Sequence, residues 1–141
     1  MQYDNTPTVV VVLATNDQGE LITIRRNNEP GRGLLGLPGG YHMKGESWQD
    51  AGAREFMEET GLWVDPESLR QVGHVVTDEY GNNLIVAQTR LPATKADWEI
   101  DPVEVQEVVP ILETPSPDEV AFQKHWRAIS DFFNRRRAMS V

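Results

Sequence analysis

The 141-residue sequence predicts an α/β fold, a mixed β-sheet lying between helices. Three observations carry that prediction. Short apolar, β-branched runs occur at Thr8–Ala14, Leu21–Arg25, Leu84–Thr89 and Val103–Ile111. A helix with start and stop signals occupies Ser47–Thr60, and an amphipathic helix closes the chain. The order strands, helix, strands, helix gives a sandwich of layers, and the length suits one domain over residues 1–141.

Each element follows from its residues. Thr8–Ala14 is apolar throughout, as expected of a strand buried on both faces. Asn16-Asp17-Gln18-Gly19 is a turn into Leu21–Arg25, so these two strands are expected to form a hairpin. Asn27–Gly36 reads as a loop leading to the break Leu37-Pro38-Gly39-Gly40. Ser47 with Asp50 makes a capping box, and Gly61 stands where a helix-terminating glycine belongs. Leu69–Thr77 and Leu84–Thr89 flank the turn-rich stretch Asp78–Asn83 and predict a second hairpin. After Ser116-Pro117, with Glu119 completing another capping box, the final helix sets Phe122, Trp126, Ile129 and Phe133 in one apolar stripe.

Composition excludes several functions. The balance of 13 Lys+Arg against 22 Asp+Glu, a net charge of −9, disfavours nucleic acid and anionic membranes as partners. The absence of cysteine removes disulfides, thiolate metal sites and thiol nucleophiles. Val9–Ala14, the longest apolar run, is far shorter than the roughly 20 residues that span a bilayer. Met1-Gln2-Tyr3-Asp4 lacks the basic start of a secretory signal, so a cytoplasmic protein is expected.

The segment Gly40–Leu62 carries the chemistry. Glu55, Glu58 and Glu59 lie at i, i+3 and i+4, on one patch of the first helix. Three like charges there repel, and the last two stand near the negative end of the helix dipole. Arg54, four residues before Glu58, offsets only part of that charge; hard oxygen ligands so crowded suit Mg²⁺ or Mn²⁺. Ala53, Phe56, Met57 and the Thr60 methyl occupy the opposite, packing face. Ala51 and Gly52 are small residues expected to leave room on the acidic face, and Gly39-Gly40 lets a carbonyl approach the ion.

This segment resembles the signature of the Nudix hydrolases: glycine, five residues, glutamate, seven residues, then Arg-Glu-apolar-any-Glu-Glu-any-Gly-apolar. Gly40, Glu46, Arg54, Glu55, Phe56, Glu58, Glu59, Gly61 and Leu62 fill every position. The resemblance is specific over about 25 residues and looser over most of the remaining chain. It implies a Nudix-type α/β/α sandwich and divalent-metal-dependent hydrolysis of a diphosphate linkage in a nucleoside diphosphate derivative. Glu55, Glu58, Glu59 and the Gly40 carbonyl would hold the metal, Arg54 would orient the carboxylates, and Glu46 would support the loop or an outer-shell water. The base for the attacking water is left open among Glu55, Glu104 and Glu107. Arg25, Arg26, Gly39 and Tyr41 are candidates for substrate contact, and many relatives are homodimers.

Subfamily marks are sparse. Thr77 stands where a proline marks ADP-ribose hydrolases; Tyr80 falls within the window associated with dinucleoside polyphosphate hydrolysis; and Leu35 replaces a common tryptophan. His42, His74 and His125 show no metal-ligand spacing and read as surface or packing residues, and Arg135–Arg137 as a solvated helix end. Eight acids and no base lie in Asp97–Glu119, mostly as solvated loop. Two other readings stand beside the enzyme: a catalytically inactive nucleotide-binding or regulatory module of the same fold, and an acidic protein-interaction face.

Overall fold

In the computed structural model, which describes residues 4–139, the first apolar run forms the central strand β1 (Thr8–Leu13). The reading of the N-terminal start rests on residues 1–3, outside the described residues. Val10, Val11, Val12 and Leu13 are each at most 1% exposed, and they alternate between two cores. Val10 and Val12 pack with Ala51, Ala53, Phe56 and Leu69, whereas Val11 and Leu13 pack with Leu37, Ile129 and Phe133. A strand covered on both faces needs apolar residues at every position, and this one has them.

The first core lies under helix α1 (Trp48–Thr60) and the second under α2 (Gln123–Met139), which gives the expected helix–sheet–helix layers. The main sheet runs in the order β4 (Gly39–Tyr41), β1, β8 (Asn83–Gln88), β6 (Arg70–Gln71), with β7 (Val76–Thr77) also on β8. β1 and β8 are parallel and the other pairs antiparallel, so the sheet is mixed. A second sheet has the order β10 (Val105–Ile111), β2 (Leu21–Arg26), β3 (Leu35–Gly36), and β5 (Leu62–Trp63) pairs with β9 (Thr94–Lys95). The hairpin across Asp78–Asn83 forms as expected.

Two local expectations fail. β2 does not form a hairpin with β1: both edges of β1 are taken by β4 and β8, and backbone pairing near the turn is limited to a bridge at Thr15–Leu21 and the hydrogen bond from Ile22 N to Ala14 O. β2 pairs instead with β10 along its whole length. The last helix also starts later than its capping box suggests. Pro117–Glu119 is a separate 3₁₀ turn, and Ser116 Oγ lies 2.6 Å from Asp118 Oδ1 and 2.9 Å from Glu119 Oε1 without capping a backbone N–H. Phe122 therefore precedes α2, its carbonyl accepting from Trp126 N, and the buried stripe is Ala128, Ile129, Phe132 and Phe133.

The first helix begins and ends where its residues dictate. Ser47 Oγ accepts from Asp50 N at 3.0 Å, and Gly61, at φ 71°, donates to Met57 O. Among the described residues no helix is long and apolar enough to cross a membrane.

Candidate functional site

Strand β4 brings the acidic face of α1 against the sheet. Antiparallel pairing sets Gly40 opposite Val10 and Gly39 opposite Val11. A Cβ on Gly39 would lie 2.2 Å from Val10 O, and one on Gly40 would lie 2.4 Å from Glu55 Cδ. Gly39 accepts no side chain, which lets β4 lie on β1, and a side chain at position 40 would displace the Glu55 carboxylate that lies on β4. Gly39 N–H donates to Glu59 Oε1 at 2.8 Å. Gly52 serves packing, contrary to the expectation that it leaves room beside the acids. Its Cβ would lie 3.0 Å from Val10 Cγ1 and 3.3 Å from Val12 Cγ2, beneath the helix.

Arg54 organises the carboxylates. It donates to both Glu46 oxygens, Nε to Oε2 at 3.1 Å and Nη2 to Oε1 at 2.8 Å, and its Nη1 reaches Glu55 Oε1 at 2.8 Å. Glu58 lies further off at 3.4 Å, and Tyr41 O accepts from Nη2 at 3.0 Å. Glu46 also accepts from Met43 N, tying the loop to the helix. The hydrogen bonds that Arg54 donates to Glu46 hold that carboxyl below its ordinary value and keep the guanidinium more firmly charged.

Electrostatics set the other two carboxyls apart. Burial pushes Glu55 up against the pull of Arg54, and the charges of Glu58 and Glu104 add to that rise. Burial pushes Glu59 up to about 8, with Glu55 and Glu104 acting the same way and the Gly39 N–H opposing. Glu59 makes no ion pair among the described residues. Nor do any three His, Asp or Glu among them form a closed set around an ion position; the cluster is open and braced by Arg54. Its donor set, hard oxygens whose mutual repulsion a cation relieves, fits a divalent metal.

Glu59 links this cluster to a cavity of about 470 Å³, large enough for a nucleotide. Gly39, Gly40, Tyr41 and Arg26 line its near side, with Tyr80, Phe122 and His125 further along. The Arg26 guanidinium lies 4.8 Å from the Phe122 ring centroid, and Tyr80 meets the same ring edge-on at 5.8 Å. His125 Nδ1 accepts from Leu37 N at 3.0 Å, so this nitrogen carries no proton. Burial lowers the imidazole to about 4, and at neutral pH its single proton sits on Nε2. No fully buried side-chain nitrogen or oxygen lacks a partner among the described residues, and no residue bonds Nε2, so that N–H is accessible from the cavity.

The remaining candidates lie apart. Arg25 donates to Glu107 at 2.9 Å and to Gly33 O at 3.1 Å, so β2 and β10 occupy both residues with each other. Glu104 lies just before β10, and its charge reaches Glu55 and Glu59. Trp48 packs against the α1-side core, and His42 Nε2 bonds Glu46 O. Sequence reading missed two cavity residues: His125, taken for a surface or packing residue, and Phe122, placed in the helix stripe. Their three-residue spacing across the start of α2 is the signal that joins them.

The sequence profile of the NUDIX domain matches residues 4–135. The chain belongs to the Nudix family. The ADP-ribose pyrophosphatase of Methanocaldococcus jannaschii is 35% identical over 80 residues, covering 50% of this chain and 47% of that protein. The chain thus spans about half the length of this curated relative. A Nudix hydrolase from Nitrosomonas europaea superposes with a TM-score of 0.73 at 21% identity, over 97% of this chain and 75% of its own. The Nudix domain of Shewanella oneidensis NrtR, crystallised with ADP ribose, gives 0.65 at 24% identity over 96% and 90%. These Nudix structures share the mixed α/β architecture described above.

Proposed function

We propose that this Nudix domain hydrolyses a diphosphate linkage in a nucleoside diphosphate derivative, using Mg²⁺ or Mn²⁺ held by Glu55, Glu58, Glu59 and the Gly40 carbonyl. The observation that carries the reading is the place of Glu59, at once a member of the carboxylate cluster and a wall of the nucleotide-sized cavity. When bound, the metal would supply an acidified water and neutralise charge on the leaving phosphate. The chain's own residues do the positioning. Arg54 holds Glu55 and steers Glu58, while Gly39 N–H holds Glu59. Glu55 or Glu104 takes the proton of the attacking water; Glu107 is less suited, being paired with Arg25.

Substrate contacts follow the cavity. Arg26 offers a guanidinium to phosphate, Tyr41 and Tyr80 offer exposed rings, and His125 Nε2–H offers one fixed donor. Relatives named for ADP-ribose chemistry support a substrate of that class, although Thr77 replaces the proline expected of that subfamily. The test is a metal-dependent screen of nucleoside triphosphates, nucleotide sugars, ADP-ribose and dinucleoside polyphosphates. Turnover of one class in Mg²⁺ or Mn²⁺ is expected. Tight nucleotide binding without turnover of any class would favour the inactive, regulatory module.

A further inference from the structure

A larger cavity, about 730 Å³, lies at the other end of the molecule and shares no lining residue with the first. β1 and α2 establish the separation. Val9 and Val11 line the first cavity, and Thr15, just past the end of β1, lines the second; the four extended residues from Val11 to Thr15 cover about 13 Å. Likewise His125, in the first turn of α2, borders the first cavity, and Phe132 to Met139 border the second.

Its charge is anomalous for this chain. Arg70, Arg90, Arg135 and Arg136 line the cavity, and no Asp or Glu does, in a protein with 22 acids against 13 bases. The contacts of these guanidinia point to an incoming anion. Arg70 Nη1 donates to the carbonyls of Glu67 and Leu69 at 2.7 and 3.0 Å, and Arg135 Nη2 donates to Gln88 Oε1 at 3.0 Å. Arg136 lies over the Phe132 ring at 5.4 Å. The partners of Arg70 and Arg135 are uncharged, so they orient each guanidinium and leave its charge in place. Arg70, Arg90 and Arg135 form no ion pair among the described residues. Ser68 Oγ and Thr89 Oγ1, 2.7 Å apart, add hydroxyls to the lining.

We propose that this cavity is a second ligand site, for a small molecule bearing a polyphosphate chain. Arginine forks match phosphate oxygens two at a time, and several converging forks match several phosphates. The volume is that of a small-molecule site, and the net charge of −9 around it opposes a long polyanion. Leu91 and Met139, 58% and 75% exposed, give it apolar walls that a nucleoside would cover. The proposal is independent of the catalytic reading.

The test is calorimetric titration of the full chain in EDTA at low salt, with tripolyphosphate and with ATP as probes. Wild type should bind each, more weakly as salt rises. The variant Arg90→Glu/Arg135→Glu should lose affinity by about tenfold or more, as two charge-assisted contacts are reversed. Lys95→Gln, an exposed cation that lines neither cavity, should leave that affinity unchanged. ATP binding tighter than tripolyphosphate identifies a nucleotide on the apolar walls; equal affinities identify the polyphosphate chain alone, and both support the site. If melting shows the charge reversal to be unfolded, Arg90→Gln/Arg135→Gln takes its place with the same expected loss. Failure of wild type to bind either probe, unchanged affinity in the arginine variants, or an equal loss in Lys95→Gln would overturn it.

Discussion

The guanidinium of Arg54 grips both oxygens of Glu46, at 3.1 and 2.8 Å, while its third nitrogen holds Glu55 at 2.8 Å. One planar fork thus ties the loop before α1 to the acids on α1. Arg54→Lys keeps the charge and loses the fork. Its expected effect is a fall in kcat of about 10- to 100-fold with the fold intact, since each 1.4 kcal/mol in the barrier is about tenfold in rate. Steady-state kinetics beside circular dichroism checks this, and Glu46→Gln should show a smaller loss because the Nε and Nη2 bonds keep one acceptor.

Gly39 and Gly40 should fail in different ways when changed to alanine. The Cβ of Gly39→Ala meets backbone, Val10 O at 2.2 Å, so β4 must leave β1 and thermal stability should drop steeply. The Cβ of Gly40→Ala meets the end of a side chain, Glu55 Cδ at 2.4 Å. That carboxylate can move, so the protein should fold and lose metal-dependent turnover by about 100-fold or more. Melting curves and kinetics on the two variants separate the cases.

Glu59 predicts a pH dependence. Its carboxyl titrates near 8 in the metal-free protein, against an ordinary 4.5, because burial disfavours the charged form. Across that window the folded protein keeps a proton that the unfolded chain has released, so stability is greatest below the lower value and falls as pH rises through the upper. Glu59→Gln retains an acceptor for Gly39 N–H and removes the titration. In EDTA the variant should melt several degrees above wild type at pH 8 and close to it at pH 5, as followed by thermal denaturation.

His125 should act on binding more than on rate. Asn at this position can still accept from Leu37 N–H while deleting the Nε2 donor. His125→Asn should raise KM for the preferred nucleotide by about tenfold, leave kcat within about threefold, and change the melting temperature little. His125→Leu loses both hydrogen bonds and should melt lower as well; comparing the two variants isolates the cavity donor.

Much of the fold and the acidic cluster could be read from local pattern. The run Thr8–Ala14 announced a strand buried on both sides, and Ser47, Asp50 and Gly61 marked both ends of α1. What pattern could not supply was pairing over long range. Whether Leu21–Arg26 turns back on β1 or crosses to Val105–Ile111 depends on which strands claim the edges of β1, and no residue of the turn records that. The same limit hid His125: its tautomer is set by a backbone N–H 88 residues away. Ser116 misled because its hydroxyl found nearby carboxylates in place of a helix N-terminus. Arg135 and Arg136 read as a solvated helix end, and only the approach of Arg70 and Arg90 makes them part of a cavity.

The most direct test of the account is the rate of diphosphate cleavage by wild type and Glu58→Gln on the best substrate of the screen, titrated with Mg²⁺ and Mn²⁺. Glu58 has the loosest contact with Arg54 of the carboxylates that Arg54 contacts, so its loss leaves the Glu46–Arg54–Glu55 brace standing. The account predicts wild-type turnover that rises with metal and vanishes in EDTA, and a Glu58→Gln rate lower by about 100-fold or more with an unchanged melting temperature. Wild-type turnover independent of metal, or a variant as fast as wild type, would contradict it.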